Sequence, residues 1–107
     1  MSVRKTFIWN YWNIDHIRNH RVSQSEARYV VEHAGPRYPK NIGNGKYLVH
    51  GRTEAGRALQ VIFLKLGEEQ VDVELLDLVE RMMLEQGNEV LYVIHARELT
   101  GKQKRNL

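Results

Sequence analysis

The side chains here best suited to chemistry are cationic or imidazole: sixteen Lys/Arg and five His, with no cysteine. The missing thiols exclude disulfides, thiolate metal sites and a cysteine nucleophile. Arginine is permanently charged, and its planar fork grips two oxyanion oxygens at once. Histidine can take up or release a proton near neutrality. Together these types suit binding and proton transfer at an anionic centre. Each candidate also has an ordinary structural use. Arg97 ends a strand, where it can either cap nearby carboxylates or face a ligand. Arg57 flanks a turn, a common place for a solvated arginine. Arg52 alternates in phase with Leu48 and His50 and could share their face. His95 shares the phase of Leu91 and Val93, which suits a half-buried structural histidine. His20 sits at a helix end, where a cation meets the dipole favourably. His16 and His20 lie four apart on one helix, a legitimate metal spacing, but no motif places an acid beside them, so no metal is expected. The aromatics Trp9, Tyr11, Trp12, Tyr38 and Tyr47 read as core and hairpin packing before they read as base-stacking groups.

These residues must be positioned by a handful of elements. Phe7-Ile8-Trp9 reads as a short opening strand or an aromatic anchor, and Trp12 to Asn19 as a short helix on Trp12, Ile14 and Ile17. Ser23 stands three residues before Glu26, the spacing at which each side chain satisfies the other's free backbone N–H. A helix from Gln24 to about His33 follows, burying Ala27, Val30 and Val31 until Gly35-Pro36 stops it. Lys46–Arg52 and Ala58–Leu66 alternate as strands, and Thr53-Glu54-Ala55-Gly56 joins them as a hairpin. Asp72 to Gln86 carries two adjacent helical apolar stripes, and Gly87 ends it. Glu89 to Ala96 is the clearest strand, and Thr100 is placed to cap a final basic turn. The expected class is α+β: a small antiparallel sheet packed with N-terminal helices, plus an inserted acidic helix.

Composition sets the bounds. At 107 residues with 42% hydrophobic and 27% charged side chains, the chain reads as one ordinary globular domain. It has no 18-residue apolar run and opens without the apolar stretch of a secretory signal, so a cytoplasmic location and no membrane partner are expected. The net charge of +3 hides an asymmetry. From Glu68 to Glu89 eight acids oppose Arg81 alone, a net of −7; elsewhere fifteen Lys/Arg oppose five acids, a net of +10. The basic part attracts polyanions, and the acidic part must point elsewhere.

Three blocks carry a resemblance. Trp9, then Asn13-Ile14-Asp15-His16-Ile17-Arg18-Asn19-His20-Arg21-Val22-Ser23 ending in Glu26-Ala27, form the first. The second is Lys46-Tyr47-Leu48-Val49-His50-Gly51-Arg52-Thr53-Glu54-Ala55-Gly56-Arg57, and the third Val93-Ile94-His95-Ala96-Arg97-Glu98-Leu99-Thr100. In this order they resemble the BrnT family of ribonuclease toxins from bacterial toxin–antitoxin pairs. The sequence departs from that pattern in two places. Residues 68–88 look like an insertion where most members have a short turn. Near the end, Gln103 stands where a glutamate is usual and Leu107 where an aromatic is common.

The resemblance implies a RelE-like fold and an endoribonuclease that works without metal or cofactor. The substrate's own 2′-hydroxyl attacks the adjacent phosphate, while the protein orients the strand, moves protons and stabilises charge. It assigns catalysis to Arg52, Arg57, His95 and Arg97, and substrate binding to Lys102, Lys104 and Arg105. It implies two partners, RNA and a cognate antitoxin. The two apolar stripes of the acidic helix suggest a further partner, a second copy of the chain bound through residues 71–86. The runner-up is a non-catalytic interaction module that keeps the toxin fold.

Overall fold

The computed structural model describes residues 5–66, 89–105 and 107. The acidic segment, with its expected helix and the expected dimer contact through 71–86, lies outside the described residues. In chain order the elements are β1 (Lys5–Ile8), α1 (Tyr11–Arg18), α2 (Gln24–Glu32), β2 (Lys40–Gly43), β3 (Lys46–Arg52), β4 (Ala58–Leu66), β5 (Glu89–Glu98) and α3 (Gly101–Lys104). The class is α+β.

The five strands form one sheet in the order β1-β5-β4-β3-β2. Three of the four pairings are antiparallel, but β1 runs parallel to β5, so the sheet expected to be antiparallel is mixed. The parallel pair follows from connectivity. The chain leaves β1 through both helices, re-enters at the opposite edge in β2 and returns strand by strand, so that β5 arrives beside β1 in the same direction. The sequence reading also missed β2. Its four residues are all exposed, so no alternation marks it. The signal that was present is the turn after it, where Gly43, Asn44 and Gly45 all have positive φ.

Both N-terminal helices begin with reciprocal caps. Ser23 Oγ accepts from the Glu26 N–H, and Glu26 Oε1 accepts from the Ser23 N–H. Asn10 and Asn13 do the same for α1. α1 ends in a tight reversal: the N–H of Val22 reaches the Ile17 carbonyl and that of Arg21 reaches the Arg18 carbonyl. Arg21 takes φ 59°, a conformation that glycine usually supplies at this place. Ile17 and Val22 close it from the apolar side, both buried.

The core lies between α2 and one face of the sheet. Ala27, Val30 and Val31 meet Val49, Leu59, Val61, Phe63, Leu91, Val93 and Ala96. Full burial of such a side chain stabilises by roughly 1.5–3 kcal/mol for the larger ones. Gly51 sets how closely α2 approaches, since a Cβ there would stand 3.2 Å from Val30 Cγ1. The other face of the sheet is free of this core.

Candidate functional site

The site begins with one irregularity in β5. Phe63 of β4 pairs with Val93 and the preceding Ile62 pairs with His95, so Ile94 is an extra residue with no partner opposite. A bulge of this kind re-aims every side chain beyond it. Leu91 and Val93 point into the core before it, and Ala96 points into the core after it. His95 and Arg97 are thereby turned to the opposite face. This corrects the expectation that His95 shares the phase of Leu91 and Val93.

Directly opposed residues share a face, so the pairings read as rows across the sheet. One row is His50, Gln60 and Arg97; the next is Leu48, Ile62 and His95. Gln60 is buried and ties the first row together. Its Oε1 accepts from His50 Nε2 at 2.9 Å and from Arg97 Nη2 at 3.5 Å. Arg97 Nη1 donates to Gln103 Oε1 at 3.2 Å and to the Glu98 carbonyl at 2.9 Å. Gln103 is held by its own cap: its Oε1 accepts from the Thr100 N–H, and Thr100 Oγ1 accepts from the Gln103 N–H. All these acceptors are neutral oxygens. Among the described residues no carboxylate forms an ion pair with Arg97.

Helix α1 packs along β5, and two imidazoles join there, His16 from the helix and His20 from the reversal just after it. The ring centroids of His20 and His95 are 5.3 Å apart, those of His16 and His95 6.3 Å, and those of His16 and His20 6.1 Å. Burial, and then the charges of His20, Arg97 and His16, hold the His95 imidazole below its ordinary 6.5. His95 is therefore neutral at pH 7 and free to accept a proton, beside a guanidinium with hydrogen-bonding capacity and charge to spare. Among the described residues no three His, Asp or Glu side chains are arranged to share a metal ion.

The other predicted site residues lie elsewhere. Arg52 is exposed, and its Nη1 donates to the Gly56 carbonyl at 3.0 Å, bracing the hairpin turn. Arg57 is built into a corner. It bonds Glu98 Oε1 at 2.7 Å, both Glu26 oxygens at 3.1 Å and the Arg21 carbonyl at 2.6 Å. Arg52 shares no hydrogen bond with the group around Arg97, and Arg57 meets it only at Glu98, whose carboxylate it binds while the Glu98 carbonyl accepts from Arg97. Lys102, Lys104 and Arg105 are exposed on and just after α3, the element whose Gln103 holds Arg97.

Sequence reasoning did not place Gln60, His50 or Gln103 in this group, and it gave His16 and His20 other roles. Their signal was weak: Gln60 is one of two polar residues in an otherwise apolar strand, and His16 and His20 reach His95 only through the tertiary fold. It also passed over an open cavity of about 700 Å³ beside α1, lined by Trp9, Ile14, Arg18, Arg21 and Arg28. His95 and Arg97 do not line it, so size does not mark the chemistry here. No helix among the described residues is long and apolar enough to cross a membrane. No protein-family profile matches the chain, and no curated protein does.

Proposed function

We propose that this protein is a metal-independent endoribonuclease of the BrnT and RelE-like toxin kind, held in check by a cognate antitoxin. The observation that carries this reading is the bulge at Ile94. It puts a neutral His95, with two further imidazoles near it, on the same face as an Arg97 that no described carboxylate neutralises. In the proposed reaction His95 takes the proton of the 2′-hydroxyl as O2′ bonds to phosphorus. The P–O5′ bond breaks, and the departing oxygen takes a proton from His20. Arg97 holds the non-bridging oxygens, where negative charge grows. The products are a 2′,3′-cyclic phosphate and a 5′-hydroxyl.

The resemblance of Val93 to Thr100 to the family's strand end supports the same assignment, and the surplus of base outside residues 68–89 suits a polyanionic substrate. The test is cleavage of single-stranded RNA by purified protein in a chelating buffer, with product ends mapped chemically, beside growth on expression without a partner. Cyclic-phosphate ends and growth arrest, both lost in His95→Ala, are the expected result. Soluble, folded protein that leaves RNA intact and growth unimpaired would sink the nuclease and promote the interaction module.

A further inference from the structure

We propose that Trp12 is a stacking platform for one base of a bound single-stranded RNA. This rests on the ribonuclease reading for its substrate class, and the experiment below separates the two. Trp12 is 55% exposed, unlike Trp9, which packs against the core. Its ring is nevertheless part of an ordered array. It stacks on His16, with centroids 4.9 Å apart and planes 6° from parallel, and lies 6.3 Å and 18° from Tyr92. Hydrogen bonds hold the residues around it. The Tyr92 hydroxyl donates to Asn10 Oδ1, which also caps α1, and buried Asn13 donates to the Ile8 carbonyl.

An indole held in a stacked array and half exposed, without core burial, suits base binding, because every nucleobase offers a π face. Its surroundings favour a nucleotide over an apolar protein partner. Trp12 stacks on His16, whose ring contacts His95, and His95 shares the open face with Arg97. A base on Trp12 and a phosphate at Arg97 would give one strand two holds on either side of the imidazoles. Tyr11, the residue preceding Trp12, is 86% exposed.

The test uses a labelled 2′-O-methyl RNA octamer, which cannot be cleaved by 2′-hydroxyl attack, and a series in which one abasic position walks along it. Binding to the full chain is read by fluorescence anisotropy. For the unaltered protein, removing the base at one or two positions should weaken binding about tenfold, within the range of base–aromatic stacking. Trp12→Ala should bind the intact octamer about tenfold more weakly and lose its sensitivity to the abasic position. Trp12→Phe, which keeps a ring, should retain part of that sensitivity. If the unaltered protein binds every abasic octamer as tightly as the intact one, or Trp12→Ala keeps the position dependence, there is no platform. A change in oligomer mass for Trp12→Ala without a change in octamer binding assigns the ring to a protein contact and also overturns the proposal. Cleavage of the all-RNA octamer is measured in parallel. Cleavage without base dependence removes the platform and leaves the nuclease; base dependence without cleavage does the reverse.

Discussion

Two arginines at neighbouring strand ends, Arg57 just before β4 and Arg97 in β5, sit in opposite electrostatic settings. Arg57 is answered by Glu98 and Glu26, and three-quarters of its side chain is covered. The hydrogen bond it donates to Glu98 leads the causes that raise its pKa further. Arg97 is oriented just as definitely, but by amide and peptide oxygens that leave its charge intact. Position on a strand end does not distinguish the two. What distinguishes them is whether the fold has supplied a carboxylate. A guanidinium already paired holds elements together, while one oriented but unpaired is ready for an anion from outside.

The largest test of this contrast is Arg97→Ala. It should lower cleavage by roughly 10²–10³-fold, the usual cost of removing one preorganised donor at a developing oxyanion. The melting temperature should hardly move, because no ion pair is lost. Arg57→Ala should do the opposite. It removes the hydrogen bonds to Glu26 and to the Arg21 carbonyl, partly covered contacts worth about 1–2 kcal/mol after solvent screening. On a chain of this size that lowers the melting temperature by roughly 5–10 °C, with cleavage per folded molecule retained. Thermal melts and rate measurements on both variants decide it. If Arg57→Ala loses activity at an unchanged melting temperature, the contrast is wrong.

A smaller effect lies in pH. His95 is held below 6.5 in the folded chain, so between 6.5 and its folded value the unfolded chain binds the extra proton. Stability should therefore fall as pH drops through that window, and the acid limb of the rate profile should lie below 6.5. Arg97→Ala removes one of the charges that lower the His95 pKa, so in the residual activity of that variant the limb should move back up. The carboxylates act in a separate window. Burial raises Glu26, but the Ser23 N–H and Arg57 outweigh it; Glu98 is lowered first by its hydrogen bond from Arg57. Both stay below 4.5, so their contribution is present above 4.5 and is lost as pH falls through their folded values. Acid melts of Arg57→Ala should lose the Glu98 part of this second stage, while the Ser23 N–H keeps part of the Glu26 contribution and the first stage stays.

How much of this was legible in the sequence depends on which physics set each feature. The bounds of β3 and β4 were readable because two alternating runs flank a short turn, and the Ser23–Glu26 box because capping is a local pattern. Within β5 the alternation is a sound guide only up to Val93. Ile94-His95-Ala96 contains no residue that announces a bulge, so the face of His95 was settled by pairing with β4, which a linear reading cannot see. β2 was missed for the opposite reason. Asn44-Gly45 did announce a turn, but Lys40–Gly43 has no apolar phase to mark a strand. Arg52 and Arg57 lie in a motif-like block, and it took their partners to show Arg52 braced on Gly56 and Arg57 locked between carboxylates. His16 of α1 and His20 just after it join the site across tertiary space, where spacing along the chain says nothing about His95.

The smallest effect sharpens the contrast at the chain's end. Lys102, Lys104 and Arg105 are exposed, whereas their neighbour Gln103 is held by Thr100 and in turn holds Arg97. Charge and orientation are thus divided among adjacent residues. Changing the three cations to alanine while keeping Gln103 should leave the cap, Arg97 and the melting temperature alone. If the cations meet phosphates, binding of single-stranded RNA should weaken alike for all sequences. Its logarithmic salt slope should shrink by up to about two, from roughly 0.7 per phosphate contact. Gln103→Ala makes the complementary change. It removes no charge, so the slope should hold, while Arg97 loses a bracket and cleavage falls. Titrations at several salt concentrations distinguish the two variants. An unchanged slope in the triple variant would mean that these cations are merely solvated and that the phosphate is held by Arg97 without them.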